Sequence, residues 1–451
     1  MTNTVLHTAA ERRKRVRDGL ARRHRTEKLF RGFGMVAIAL ALGFVAILFT
    51  DVLRKGVPAF MQSNLHLEVT YDPELIKIEP APVRSAGQSD AEFNAANMAW
   101  QRKLAMLNWN SVIEASLRKA APEGYEIDTR QLLTIAETNG RHIVRERLVA
   151  DPSLMGQTVN MELLASANAD NWIKGNIDRD LGAAQQQLSE PARALIDTFV
   201  ENGTITQGFA WSLLSSVDSR SAPASAGLLG AFMGSLWMML IVVVLAVPIG
   251  VGSAIYLEEF APKSRLTDII EVNINNLAAV PSIVFGLLGA AVFINWFRLP
   301  ISAPLAGGLV LTLMTLPTII IATRAALKGV SPALRQAALG MGASKTQMVF
   351  HHVLPVTFPS ILTATIIGVA QALGETAPLL LIGMNAFVAS VPGTPLDQAT
   401  ALPVQIYLWQ GNENRNFFEA RTSAAIMVLL AFMISLNAIA IFLRSRLEKR
   451  A

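Results

Sequence analysis

The chain has 451 residues, of which 52% are hydrophobic and only 16% charged, with a formal net charge of +5. Soluble globular chains carry about 25% charged residues, so the composition excludes an ordinary soluble protein and points to membrane helices. With no cysteine, a disulfide framework and a thiolate metal site are excluded as well.

From Glu11 to Arg31 the N-terminal arm is dense in Lys and Arg, opposed only by Glu11, Asp18 and Glu27. Such an arm can mark nucleic-acid binding. Here it abuts the apolar run Gly34 to Thr50, so inner-side positive charge flanking a membrane helix explains it, and no nucleic-acid partner is expected. The apolar core is too long for a removable signal peptide, and no Ala-x-Ala follows it. Residues 1–31 therefore read as a cytoplasmic arm and residues 32–52 as a first membrane helix.

From 53 to 225 the sequence is mixed and polar. Leu65 to Tyr71 alternates like a strand, Leu75 to Ile78 reads as a second, and Ala95 to Lys119 has helical periodicity through Met98, Leu104, Leu107 and Val112. Trp100, Trp109, Trp172 and Trp211 are candidate anchors of a small core, which makes this segment an α+β insert. His66 and His142 are isolated, so no metal site is expected.

Apolar blocks resume at Phe232 to Leu257, Leu277 to Ile294, Pro304 to Ala322, a run opening at Pro359, and Ala424 to Leu443. With the first helix these make six spans. The fold expected is an all-α polytopic membrane protein with the α+β insert between helices 1 and 2 and a core over residues 226–451. Gly286, Gly289 and Ala290 suit close helix packing in lipid. Lys263, Arg265, Arg324, Lys328, Arg335, Lys345, Arg444, Arg446, Lys449 and Arg450 all fall on one side, whereas the other side holds Arg298, Arg415 and Arg421. That bias puts both termini in the cytoplasm and the insert outside, in the periplasm of a Gram-negative cell.

Leu334 to Pro355, LRQAALGMGASKTQMVFHHVLP, lies between two apolar blocks on the cytoplasmic side. Gln336-Ala337-Ala338 and Gly342-Ala343 are small or short where a helix ordinarily carries bulk, and Met348, Val349, Val353 and Leu354 then recur at helical spacing up to Pro355. Two short helices broken near Gly342 is the reading, with Pro355 ending the run. From the residues alone this is either a docking helix whose small face admits another backbone or an alanine-rich connector. Gly340 to Thr346 has a P-loop look, but Ser344 stands where Gly must precede the Lys and no apolar strand leads in, so an ATP site is not expected in this chain.

The loop resembles the EAA loop of ABC-importer permeases in Ala337, Ala338, Gly342, Leu354 and Pro355, with Gln336 in the place of the family's Glu. Ile255 to Pro262, Asn273 to Gly286, and Gly374-Glu375-Thr376-Ala377-Pro378-Leu379-Leu380 resemble the PstA family of inner-membrane permeases in phosphate-specific ABC importers. The resemblance runs from about Gly230 to the C-terminus and implies a six-helix type I importer permease. It makes Gln336, Ala337, Ala338, Gly342, Ala343, Leu354 and Pro355 the coupling loop to a separate ATPase. The partners it implies are a PstC-like second permease, a PstB-like ATPase dimer that holds ATP-Mg, and a periplasmic PstS-like phosphate-binding protein. This chain itself has no catalytic, cofactor or metal residues in that reading.

Glu375 lies in the run that opens at Pro359, where a carboxylate in hydrocarbon calls for a partner or a water-filled path. Glu375, Thr376 and Arg324 are therefore candidates for the translocation path. Pro378 leaves open that Glu375 is a helix-end residue at the outer interface. The rival functions are a permease for another oxyanion, a membrane sensor with a periplasmic ligand domain, and a secondary transporter. The short inner segments argue against a sensor, and no repeat between halves favours a secondary transporter.

Overall fold

The computed structural model describes residues 9–85, 88–180 and 186–448. The start of the basic arm, residues 1–8, and the basic pair Lys449 and Arg450 lie outside the described residues. The chain divides into two compact units, residues 1–55 and residues 56–451. In the first, arm and span are one unbroken helix, α1 (Ala9–Gly56), of 48 residues. At 1.5 Å per residue it is about 72 Å long, more than twice the hydrocarbon thickness.

In the second unit, β1 (Met61–Thr70) leads into helices α2 (Asp90–Ala105), α3 (Asn110–Ala120) and α4 (Gly140–Ala150). Then come β2 (Thr158–Leu164), α5 (Ala167–Ile173), α6 (Glu190–Glu201) and β3 (Ile205–Phe209). The sheet is antiparallel with order β2-β1-β3, and Leu65 pairs with Leu163 on one side and Ile205 on the other. Ser63, Leu65, Leu67 and Val69 of β1 alternate inward, as their period-2 pattern requires, onto a core with Trp100, Trp109, Leu117, Trp172 and Phe199.

Three local expectations change. The expected second strand at Leu75–Ile78 is a one-turn helix, Pro73–Ile76, because Asp72 caps the Glu74 N–H, Pro73 opens the turn and Lys77 closes it at φ 42°. The expected single helix Ala95–Lys119 is α2 and α3. Between them the chain turns so that the Trp109 indole N–H donates to the Leu104 carbonyl at 2.8 Å. Trp211 is 69% exposed against Phe209, outside the core it was expected to anchor.

The apolar half begins with α7 (Leu229–Ile255), which runs on through a π-turn, Tyr256–Phe260. Next are α8 (Arg265–Ala278) and α9 (Ser282–Gly289), the latter extended by a second π-turn to Trp296. They meet at 101°, because Pro281 has no N–H to continue the helix and is extended at ψ 138°. The straight span expected over Leu277–Ile294 is thus broken near its start. α10 (Pro304–Lys328), α11 (Pro332–Gly340), α12 (Leu354–Gly374), α13 (Ala377–Leu381), α14 (Leu402–Gln410) and α15 (Arg415–Glu448) complete the order. Among the described residues five helices are long and apolar enough to cross a membrane, or six if the bent pair counts as one span.

Glycines set the closest approaches. A Cβ on Gly286 would lie 2.7 Å from the Pro378 Cα, and one on Gly289 2.2 Å from a Val310 methyl, so α9 packs on α13 and α10 as its small residues lead one to expect. Leu240 and Val244 of α7 and Ile439 and Phe442 of α15 are exposed, an apolar exterior suited to lipid or a partner helix and not to water.

The insert is joined to this bundle by buried charge. Arg421 of α15, 3% exposed, donates to the carbonyls of Ala226 and, at 2.7 Å, Ala224, and its guanidinium lies 4.7 Å from the centre of the Phe417 ring. Asp170 and Glu137 of the insert are also buried and act on it electrostatically. Glu137 accepts from the N–H groups of Ala224 and Thr138, both at 2.9 Å, while Asp170 accepts from Ser63 and pairs with Lys174 at 2.6 Å.

Candidate functional site

The Leu334–Pro355 loop breaks at Gly342. Ser331 caps the start of α11 by accepting from the Ala333 N–H, and Pro332 occupies the first turn, where its missing donor costs nothing. At the other end Gly342 takes φ +89°, its N–H donating to the Leu339 carbonyl while that of Ala343 donates to Ala338. This pair of bonds is a Schellman closure, which requires a left-handed residue where Gly342 stands. Ser344 then opens a new turn with a capping box to Gln347. The segment with the P-loop look is thus a helix stop followed by a helix start.

The small residues do not all face one way. Ala338 is 2% exposed, packed with Ile255, Leu327, Val330, Met348, Val349 and Val353. Gln336 and Ala337 are exposed, Met341 is 79% exposed, and Ala343 is half-buried. The face offered outward is therefore Gln336, Ala337, Gly340 and Met341, with Ala338 as its inward anchor. Leu354 and Pro355 are half-buried at the start of α12. Contrary to expectation, Pro355 does not end the run. A π-turn, Met348–Val353, delivers the chain into α12 with Pro355 in its first turn, where a missing N–H is tolerated.

Arginines fix the loop to the spans. Arg335 of α11 grips Glu259 of the α7 π-turn, with Nη2 at 2.7 Å and Nε at 3.2 Å from Oε1, and donates to the carbonyls of Val330 and Leu327 at 2.7 and 2.8 Å. Glu259 is 8% exposed, so this charge-assisted fork is largely withdrawn from water. Arg324 near the end of α10 pairs with Glu258 at 3.3 Å and with Glu271 of α8, and Lys328 reaches Glu258 at 3.7 Å. Nothing in the spacing marks Glu258, Glu259 and Glu271 as the partners of these arginines. The one available signal is two adjacent acids closing an apolar span opposite a basic loop.

The three candidates for the translocation path are not brought together. Arg324 is held at the loop end by its carboxylates. Glu375 follows α12, whose 21 residues carry the chain about 30 Å from that loop. Instead of sitting inside a span, Glu375 lies at a break: it is extended at ψ 127°, half-buried, and among the described residues its side chain has no hydrogen bond or ion pair. Thr376, also half-buried, opens α13 and accepts from the N–H groups of Leu379 and Leu380, both at 3.1 Å.

Residues 246–451 match the family described as binding-protein-dependent transport system inner membrane component, and residues 17–183 match a domain of unknown function, DUF3333. The Bacillus subtilis protein YqgH, described as a probable ABC transporter permease, is 30% identical over 53% of this chain and 77% of its own length. The chain belongs to the ABC transporter permease family. The permease is also 31% identical to the Yersinia pestis phosphate transport system permease protein PstA, over 45% of this chain and 69% of that one. It is 32% identical to YqgI, a second probable ABC transporter permease of B. subtilis, over 36% of this chain, and the match spans 55% of YqgI. Within the permease, the family match includes the whole 334–355 loop and both arginine clusters, whereas the DUF3333 match runs from within α1 through α5.

Proposed function

We propose that this permease is one of two membrane subunits of an ATP-driven phosphate importer, coupled to a separate ATPase through the 334–355 loop. One observation carries the coupling role. α11 offers Gln336, Ala337, Gly340 and Met341 outward while Arg335, locked on Glu259, ties it to α7 and α10. A push on that face is passed to two membrane helices as one rigid body, which is what a transport switch needs to bias their arrangement. Gln336 cannot supply the negative charge of the family's Glu, so docking on this side rests on shape and hydrogen bonds.

Phosphate as substrate is supported by the similarity to PstA and by the strings Asn273–Gly286 and Gly374–Leu380. A PstC-like permease would complete the wall of the path, a PstB-like ATPase dimer would hold ATP-Mg, and a PstS-like binding protein would deliver the anion on the insert side. The Lys and Arg bias supports the cytoplasmic placement of loop and termini in the inner membrane and the periplasmic placement of the insert. The test is reconstitution of the permease with those partners in proteoliposomes. ATP-dependent phosphate uptake, with sulfate a poor competitor, is expected. Uptake that ignores ATP, or that prefers sulfate, overturns the proposal.

A further inference from the structure

A cavity of about 640 Å³ lies where the insert meets the bundle. Thr138, Asn139 and Arg141, around the start of α4, form one wall. Ser216 and Ser221, in the segment leading to α7, form the other, and Phe387, beyond α13, closes a side. Among the described residues Arg141 has no carboxylate partner, and its Nε lies 3.4 Å from the His142 Nε2. Arg220, whose guanidinium lies 5.2 Å from the centre of the Phe387 ring, has none either. The hydroxyls of Thr138, Ser216 and Ser221 likewise have no hydrogen-bond partner there. The acid on the wall, Asp218, is engaged, its Oδ1 accepting from the Trp409 indole N–H at 3.0 Å.

The cavity thus gathers uncommitted hydroxyls and the Arg141 guanidinium, while a second guanidinium, Arg220, lies against the Phe387 ring that closes one side. A guanidinium fork matches two oxygens of a tetrahedral oxyanion, and hydroxyls can serve the remaining lone pairs. Burial, and after it the charges of Arg141 and Arg145, hold the His142 pKa below its ordinary value, against the raising effect of Glu146. We infer that this cavity binds a phosphate group, with Arg141 and Arg220 supplying the charge and Ser216 and Ser221 the neutral hydrogen bonds. The naming of phosphate rests on the transport reading; the oxyanion chemistry stands without it. The insert then has a chemical task, since Thr138, Arg141, Ser216, Arg220 and Ser221 all lie within residues 53–225, while the bundle adds Phe387 and Ala389 to the wall.

The probe is radiolabelled inorganic phosphate, equilibrated by dialysis with the purified full-length permease in nanodiscs of zwitterionic lipid. Saturable binding is expected, weakened at least tenfold in Arg141→Gln and in Arg220→Gln, several-fold in Ser221→Ala, and unchanged in Arg102→Gln, which does not line the cavity. If added phosphatidylglycerol displaces the label in the wild type, the phosphate group is a lipid headgroup's; if it does not, the ligand is the free anion. No saturable binding, or equal binding by wild type and a correctly folded Arg141→Gln, overturns the inference. ATP-driven uptake is scored separately. Uptake without cavity binding removes this site and leaves the transport reading, while cavity binding without uptake does the reverse.

Discussion

At Gly342 one dihedral decides what the loop can be. Its φ of +89° is a conformation L residues rarely adopt, and a Cβ there would meet nothing within 4 Å, so any substitution is strained without being crowded. Such strain costs on the order of 1–3 kcal/mol, least for Asn and Asp. Gly342→Asn should therefore keep the helix stop and most ATP-driven transport. Gly342→Asp, nearly the same shape, adds an unpaired charge to the docking face and should abolish stimulation of the ATPase with insertion unchanged. Equal transport by the two variants would remove this loop from the coupling contact. Glu137 offers a second test at this scale. Burial raises its pKa above the ordinary 4.5, against the lowering effect of the Ala224 and Thr138 N–H groups and Arg421. The folded state then holds a proton that the unfolded state has released, so stability contributed by this group is lost as pH rises from about 4.5 through the raised value. A thermal-unfolding series in detergent should show that loss, and Glu137→Gln should flatten it.

The elements to which the proposed transport role falls are interrupted by π-turns and breaks. The π-turn Tyr256–Phe260 carries Glu258 and Glu259 beyond the end of α7, where Arg324 and Arg335 meet them. Removing one member of such a withdrawn pair leaves the other uncompensated, at a cost of roughly 3–5 kcal/mol, whereas removing both costs far less. Arg335→Gln should release α11, seen as faster hydrogen exchange over 332–347, and should uncouple ATP hydrolysis from uptake. Glu259→Gln added to it should recover part of the protection, and additive effects in that cycle would show that the pair does not act as a unit. Glu375 belongs to a break of another kind, between α12 and α13, with α13 packed on Gly286. Glu375→Gln preserves shape and removes charge. The complex should assemble with phosphate uptake sharply reduced, and unchanged kinetics at matched expression would make Glu375 an interface residue only.

On the scale of the whole molecule, the composition change near residue 225 presents the insert as an appendage, and the buried Arg421 argues the opposite. Its guanidinium keeps the Ala224 and Ala226 carbonyls if residues 60–220 are deleted, but it loses Asp170 and Glu137. A buried cation without its counter-charges is destabilising by several kcal/mol. Deletion with a short linker should therefore lower the amount of folded permease in the membrane, and Arg421→Met in the deleted chain should restore part of it. Full membrane levels after deletion alone would show that the bundle does not depend on the insert's charges.

How much of this was legible follows from the range of each signal. The apolar blocks, the alternation along β1 and the helix stop at Gly342 depend on neighbours within a few residues, so the sequence by itself determined them. Even there local chemistry misled where two rules competed: the apolar run at Leu75–Ile78 lost to the Asp72-Pro73 cap, and the block at Leu277–Ile294 lost to Pro281. The carboxylate partners of Arg324 and Arg335 lie 53 to 76 positions away, and the carbonyls that Arg421 reaches lie 195 and 197 positions away. No period or spacing encodes such pairs. Only packing α7, α8 and α10 together, and closing the insert onto α15, brings those charges out of water at the same place. The uncommitted donors around the insert cavity are of that kind too, since they become a site only when α4 and the segment before α7 face each other.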